Sequence, residues 1–290
     1  MTENGNRGGA AAGEMARSMT TYDGLRLAGT AVVTSGAGEH TASGEPEHAV
    51  LLLHGEGADR DHGGFFPRLA AEFAAAGIGS LRFDLPGHGE SEGRPEELTL
   101  SGLLNVIDAG LRDLRTLLPG ARLTLFASGL TGGVAAGYAA RRGSEIDRLV
   151  LINPLIDYQR QFVDEAPNWS DGRLDPDAAA VLRGTGRLDR APAYVLGRAM
   201  LNEVFWLQPR GVLEAITAPV LIVHGAGPTP VPVDSSRTAA AALRCPHRLV
   251  EIGDTQRWEW RAPVIRESIE WILAPVDSGR AEAEPLPTAR

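Results

Sequence analysis

Ala49-Val50-Leu51-Leu52-Leu53 is an unbroken apolar run that passes directly into His54-Gly55-Glu56-Gly57. A short apolar run closed by glycines suits a strand covered on both faces, as in a parallel sheet. Leu149-Val150-Leu151-Ile152 repeats the pattern and closes on Asn153-Pro154. Working outward, similar runs occur at Leu25–Val33, Ser80–Phe83, Leu123–Phe126, Val220–Val223 and Leu249–Ile252. Helical patterns lie between them, over about 62–76, 98–118, 131–142, 234–243 and 261–273. In the second, Leu100, Leu103, Leu104, Ile107, Leu111 and Leu114 recur at the spacing of one helix face. Strand–helix alternation of this kind predicts an α/β fold with a doubly wound, mostly parallel sheet.

The alternation stops between Pro154 and Leu213. That stretch has no strand-like run, but Pro176–Leu182 and Ala191–Phe205 read as helical. Lying between two strands, it is expected to form a helical cap over 155–212, because ligands in open sheets bind beyond the strand ends. A decorative insertion is the alternative. The core is then 21–154 with 213–274. Residues 1–20 and 275–290 read as disordered tails, too poor in apolar surface to offset their ordering entropy.

Composition removes several classes of function. The chain has 290 residues, 43% hydrophobic and 22% charged, enough for a full core without covalent staples. All 28 basic residues are arginine, so a Schiff-base lysine, a pyridoxal-phosphate lysine and a phosphate-loop lysine are all excluded. The lone Cys245 excludes an internal disulfide and a paired-cysteine metal or redox site. A net charge of −9 argues against nucleic acid as a partner. No apolar run approaches the ~20 residues of a membrane span, and the first 18 residues have no apolar signal region. A soluble cytoplasmic protein is expected, with no cofactor or metal and with room for a homodimer.

His54-Gly55 and the second glycine-rich turn, Arg82-Phe83-Asp84-Leu85-Pro86-Gly87-His88-Gly89-Glu90-Ser91, end successive strands. Together they resemble the α/β-hydrolase superfamily, in its capped serine-hydrolase branch of lysophospholipase-like and esterase-like enzymes. Asn153-Pro154 and Pro219-Val220-Leu221-Ile222-Val223-His224-Gly225 also look like this family. The likeness covers about residues 22–274 and implies the α/β-hydrolase fold.

The resemblance also implies a nucleophile on a G-x-S-x-G elbow between strand and helix. The matching stretch is Phe126-Ala127-Ser128-Gly129-Leu130-Thr131-Gly132-Gly133. Alignment on the glycine pair puts Leu130 at the nucleophile position, and alignment on the strand puts Gly129 there. Ser128 and Thr131 flank it, as expected turn or cap hydroxyls. The family's acid has no counterpart in His224-Gly225-Ala226-Gly227-Pro228; the first carboxylate, Asp234, reads as a helix N-cap. The family's histidine has none in Ile252-Gly253-Asp254-Thr255-Gln256-Arg257-Trp258, where Gln256 takes its place. All three roles are therefore expected to be vacant. Glu56, where the family sets a backbone donor for an oxyanion, would repel the developing charge, unless it faces solvent.

Other polar candidates to line a pocket are Asp59, His62, Asn153, Asp157, Tyr158, Arg160 and Arg257; apolar ones are Phe65, Phe66, Tyr194, Phe205, Trp206, Trp258 and Trp260. His54 and His224 read as satisfied buried histidines, His88 as a brace of its turn, and Cys245 as structural. Three readings follow. In the first, a small apolar molecule is bound over Ser128, Gly129, Leu130, Thr131, Phe205, Trp206, Gln256 and Trp258. It is then cyclised, isomerised or eliminated in a biosynthetic pathway, with Glu56, Asp157 and His62 as acid–base groups. In the second, an esterase or thioesterase uses Ser128 or Thr131 as an unorthodox nucleophile. In the third, the chain is a non-catalytic pseudoenzyme.

Overall fold

A computed structural model describes residues 13–34, 46–55, 57–190, 194–225, 229–253 and 260–275. Its frame is an eight-stranded sheet. In chain order the strands are β1 Gly13–Thr20, β2 Arg26–Val33, β3 His48–Leu53, β4 Ile78–Phe83, β5 Arg122–Ser128 and β6 Arg148–Ile152. After a long insertion come β11 Val220–Gly225 and β12 His247–Ile252. The spatial order is β1-β2-β4-β3-β5-β6-β11-β12. β1 and β2 run antiparallel to their neighbours, and all other pairs are parallel.

The unbroken run of β3 lies at the centre, buried on both faces. Its alternate residues divide between two cores. Val50 and Leu52 join Phe65, Phe66 and Phe73 of α1 (Phe65–Ala75) and Val264, Ile265 and Ile272 of α7 (Arg261–Leu273). Ala49, Leu51 and Leu53 join Leu103, Ile107 and Leu111 of α2 (Leu100–Leu117) and Val134 and Ala135 of α3 (Leu130–Arg141). α6 (Val233–Ala242) lies on this second face. The fold is thus the doubly wound α/β-hydrolase fold that the periodicity predicts.

Two expectations are corrected. Residues 13–20 are not tail but β1. The strand is exposed along most of its length, so it shows no hydrophobic alternation; ladder bonds to β2 and two ion pairs hold it instead. Arg17 meets Asp113 at 2.7 Å, and Glu14 meets the buried Arg82 at 2.8 Å.

The insertion between β6 and β11 is not all helix. It carries two small hairpins, β7 Trp169–Ser170 with β8 Arg173–Leu174, and β9 Arg187–Arg190 with β10 Tyr194–Gly197. Its regular α-helices are α4 Pro176–Thr185, capped by Asp175, and α5 Arg198–Glu203. Ala191–Phe205 therefore reads wrongly as one helix. Val195 and Leu196 are strand-formers paired with β9, and only the next turn is helical. The insertion is fastened to α2, where Glu203 accepts the Leu100 N–H and the Ser101 hydroxyl.

Candidate functional site

The crest of the site is the turn from β5 to α3. Its pivot is Gly129, at φ 57° and ψ −125°. A side chain there would be strained, whereas glycine adopts it freely. The Gly129 N–H donates to Ile152 O at 3.0 Å, and its carbonyl accepts from Leu155 N at 2.9 Å and Gly132 N at 3.1 Å. Backbone bonds to the end of β6 therefore hold the turn. The register left open between Gly129 and Leu130 is decided by these angles. Leu130 is the first residue of α3, and its side chain belongs to the core beneath rather than to an apolar pocket floor. Its carbonyl accepts the Tyr158 hydroxyl at 2.9 Å. Tyr158 is thus a buried fastener of α3 rather than a lining residue.

The two flanking hydroxyls differ. Thr131 Oγ1 lies 2.9 Å from Ser128 O, 3.0 Å from His54 O and 3.4 Å from Leu53 O, so it staples α3 to the end of β3. Its proton is therefore held by backbone carbonyls. Ser128 is 8% exposed, and its Oγ has no hydrogen-bond partner among the described residues. A Cβ placed on Gly55 would lie 3.3 Å from Ser128 O and 3.4 Å from that Oγ, a close approach of the two turns.

The turns after β3 and β4 are laced together by side chains. His54 Nδ1–H donates to Gly55 O at 2.7 Å, and Nε2 accepts from Leu85 N at 3.0 Å. Burial lowers its pKa to about 4, so it is a neutral structural imidazole. The buried Asp84 accepts from the Arg60 N–H at 2.6 Å, the Arg60 guanidinium and the Glu90 N–H at 2.9 Å. Ser91 Oγ donates to Asp84 O at 2.7 Å and accepts from Ala28 N at 2.9 Å. Gly89 presses on the Asp84 carboxylate with no room for a Cβ. His88 Nδ1 meets Pro86 O at 3.0 Å, the brace expected of it. The aspartate-led glycine motif is therefore architectural.

His62 lies further along the loop after β3, with φ 46° and its ring stacked on Phe66 at 5.0 Å. Burial, and behind it Arg261, lowers its pKa. Asp59 Oδ1 accepts the N–H groups of Asp61 and His62, which fixes this loop. Phe65 packs on Trp260 at 4.8 Å.

At the ends of β6 and β11, Asn153 at φ 45° accepts the Gly225 N–H on Oδ1 at 3.0 Å. His224 is satisfied by Ser236 Oγ at 2.7 Å and Val231 O at 3.1 Å, and burial lowers its pKa. Asp157 accepts Arg160 N at 3.0 Å and pairs with Arg210 at 2.7 Å, so it is a committed counter-ion. Asp234 is not an N-cap. Pro232 holds that position, and Asp234 sits in the first turn of α6 facing Arg237.

Trp206, expected over the pocket, is 84% exposed; it borders an outer hollow with Leu104 of α2 and Gly137 of α3. Phe205 packs edge-on against Trp169 at 5.6 Å, within the insertion. Cys245 is buried, burial pushes its thiol up, and its carbonyl is bonded by His247. Glu56, Gln256, Arg257 and Trp258 lie outside the described residues, as does the Tyr194 side chain. Among the described residues no cluster of His, Cys, Asp and Glu could hold a metal ion. No helix among them is long and apolar enough to cross a membrane.

The sheet order, the strained strand-to-helix turn and the laced glycine motif define one class of protein. The chain has the α/β-hydrolase fold and is similar to members of that superfamily. The family model described as serine aminopeptidase, S33, matches residues 44–183. A monoacylglycerol lipase of Mycolicibacterium smegmatis is 26% identical over 223 residues, 68% of this chain and 76% of that protein. Est1E of Butyrivibrio proteoclasticus, solved with ferulic acid bound, superposes with a TM-score of 0.70 at 19% identity, over 89% of this chain and 100% of that one. A monoacylglycerol lipase of Paleococcus ferrophilus gives 0.59 at 22% identity, over 85% and 98%.

Proposed function

We propose that this protein works without the serine–histidine–aspartate triad and binds, then converts, an apolar small molecule with no acyl-enzyme step. The observation that carries this reading is Gly129: the pivot of the elbow, where an attacking oxygen belongs, bears only hydrogen. The sequence supports it twice more. No histidine follows His247, and no carboxylate stands between His224 and Asp234. Loss of such a nucleophile costs on the order of 10⁶ in rate, or about 8 kcal/mol of barrier. Orientation of a flexible ligand in a reactive conformer supplies several kcal/mol without any nucleophile. Glu56 and His62, on the loop after β3, are the acid–base pair of this reading. Asp157 takes no part in it, because Arg210 holds its charge. Gly129, Ser128, Phe205, Gln256 and Trp258 contact the ligand, with the insertion as roof. The likeness to a monoacylglycerol lipase supports an apolar ligand.

Ser128 favours a second reading, hydrolysis from a hydroxyl beside the crest, because its Oγ has no described partner. A fluorophosphonate probe followed by mass spectrometry separates the two. The expected result is no stoichiometric label on the natural protein and no esterase activity gained by Gly129→Ser, since no histidine stands ready to take the proton. Stoichiometric label on Ser128, abolished by Ser128→Ala, overturns the first reading.

A further inference from the structure

A cavity of about 270 Å³ lies between the residues that follow β6 and the start of α6. Ser128, Gly129, Thr131 and Gly55 take no part in it. Its size is just below the ~300–1,000 Å³ of pockets for drug-sized ligands, which suits a small metabolite. Its polar wall is Asp157, Arg160, Glu165, Arg210 and Asp234.

The charges on this wall are only partly matched. Arg210 Nη1 meets Asp157 Oδ2 at 2.7 Å, and Arg160 Nε meets Glu165 Oε1 at 2.6 Å. Among the described residues the remaining guanidinium N–H groups of both arginines have no acceptor. Asp234 is the complementary case. Its hydrogen-bond partner among the described residues, Arg237, reaches it at 3.3 Å while holding Glu251 in two bonds of 2.8 and 2.7 Å. Two forks with N–H groups to offer therefore share one hollow with one weakly held carboxylate. A pure anion would face three carboxylates here, and a pure cation two guanidiniums. A molecule with both charges meets both needs without leaving a charge uncompensated. Leu155, Ile156 and Pro232 give the wall its apolar part, and Gln161, Ser235 and Thr238 add uncharged polar groups. Ser235 Oγ pins it by donating to Pro154 O at 2.7 Å.

We propose that this cavity binds a small zwitterion of the amino-acid type. Its carboxylate lies on Arg160 and Arg210, its ammonium group on Asp234, and a branched aliphatic side chain on Leu155, Ile156 and Pro232. The site goes beyond the reading of the elbow and does not depend on it.

Isothermal titration of the full chain with three probes tests the site: L-leucine, 4-methylpentanoate, which lacks the amine, and 3-methylbutylamine, which lacks the carboxylate. Leucine is expected to bind in the micromolar-to-millimolar range, about tenfold or more tighter than either single-charge probe. Asp234→Asn, on an exposed turn, is expected to lower leucine affinity about tenfold and to leave 4-methylpentanoate unchanged. Arg210→Gln is expected to weaken both. Equal binding of the three probes, no leucine heat up to about 10 mM, or unchanged leucine affinity in Asp234→Asn each overturns the proposal. The Asp234 variant and the probe series decide the matter even if Arg210→Gln fails to fold.

Discussion

The turns after β4 and β5 stand on either side of β3 and are built on opposite principles. After β4 the chain is held by side chains: Asp84, Arg60, His54 and Ser91 exchange bonds across two loops. After β5 it is held by its own backbone, and the pivot has no side chain. The difference teaches that shape and chemistry are separable on this sheet. The first turn cannot lose its side chains and keep its form. The second keeps its form whatever becomes of the chemistry at its crest.

The largest effect is expected at Asp84. Asp84→Ala leaves the Arg60 guanidinium, 22% exposed, with Glu90 alone and two backbone N–H groups without their acceptor. Loss of a buried pair costs about 3–5 kcal/mol, read as a fall in the urea midpoint at constant slope; a loss below about 1 kcal/mol would break the contrast between the turns. Next comes pH. His54 has a folded-state pKa of about 4 against an ordinary 6.5, so the unfolded chain binds the extra proton. Its contribution is therefore complete above pH 6.5 and is lost as pH falls toward 4, up to about 3 kcal/mol. His48, His62 and His224, also lowered by burial, act in the same direction. Ring resonances of His54 that titrate near 6.5 in the folded protein would contradict this.

The smallest effects sharpen the comparison inside the second turn. Thr131→Val removes a hydroxyl set against three carbonyls and should cost about 1–2 kcal/mol. Ser128→Ala, three residues away, removes an oxygen with no described partner and should change stability by less than about 0.5 kcal/mol. Equal costs in parallel denaturant titrations would mean that Ser128 Oγ is engaged after all.

Much of the fold was legible because β3, β6 and β11 are buried on both faces and therefore read as unbroken apolar runs. The end of α7 was legible to the residue, since the apolar spacing stops at Leu273. β1 was not, because its side chains are mostly exposed and only its ladder and ion pairs make it a strand. The hairpins of the insertion are too short to carry a period. At the site, the narrowing of the pivot to Gly129 or Leu130 was legible from residue types alone. Whether Gly129 or Leu130 bears the crest was not, because φ and ψ decide it and neighbouring apolar residues do not report them. Trp206 misled for a plain reason: an aromatic residue on a short helical segment reads the same whether it faces a ligand or water. The pairing of Asp157 with Arg210 joins residues 53 positions apart, and no local pattern announces it.

Among the described residues β1 closes one edge of the sheet and presents its outer row of amides and carbonyls there. Glu14 and Arg17, tied down by Arg82 and Asp113, put charge along that margin, which discourages a second chain from adding on. Trimming the protein at Thr21 would shift the open margin to β2, with Leu27, Ala31 and Val32 behind it. A shortened version made for convenience would thereby gain a template for fibre growth that the natural chain keeps covered.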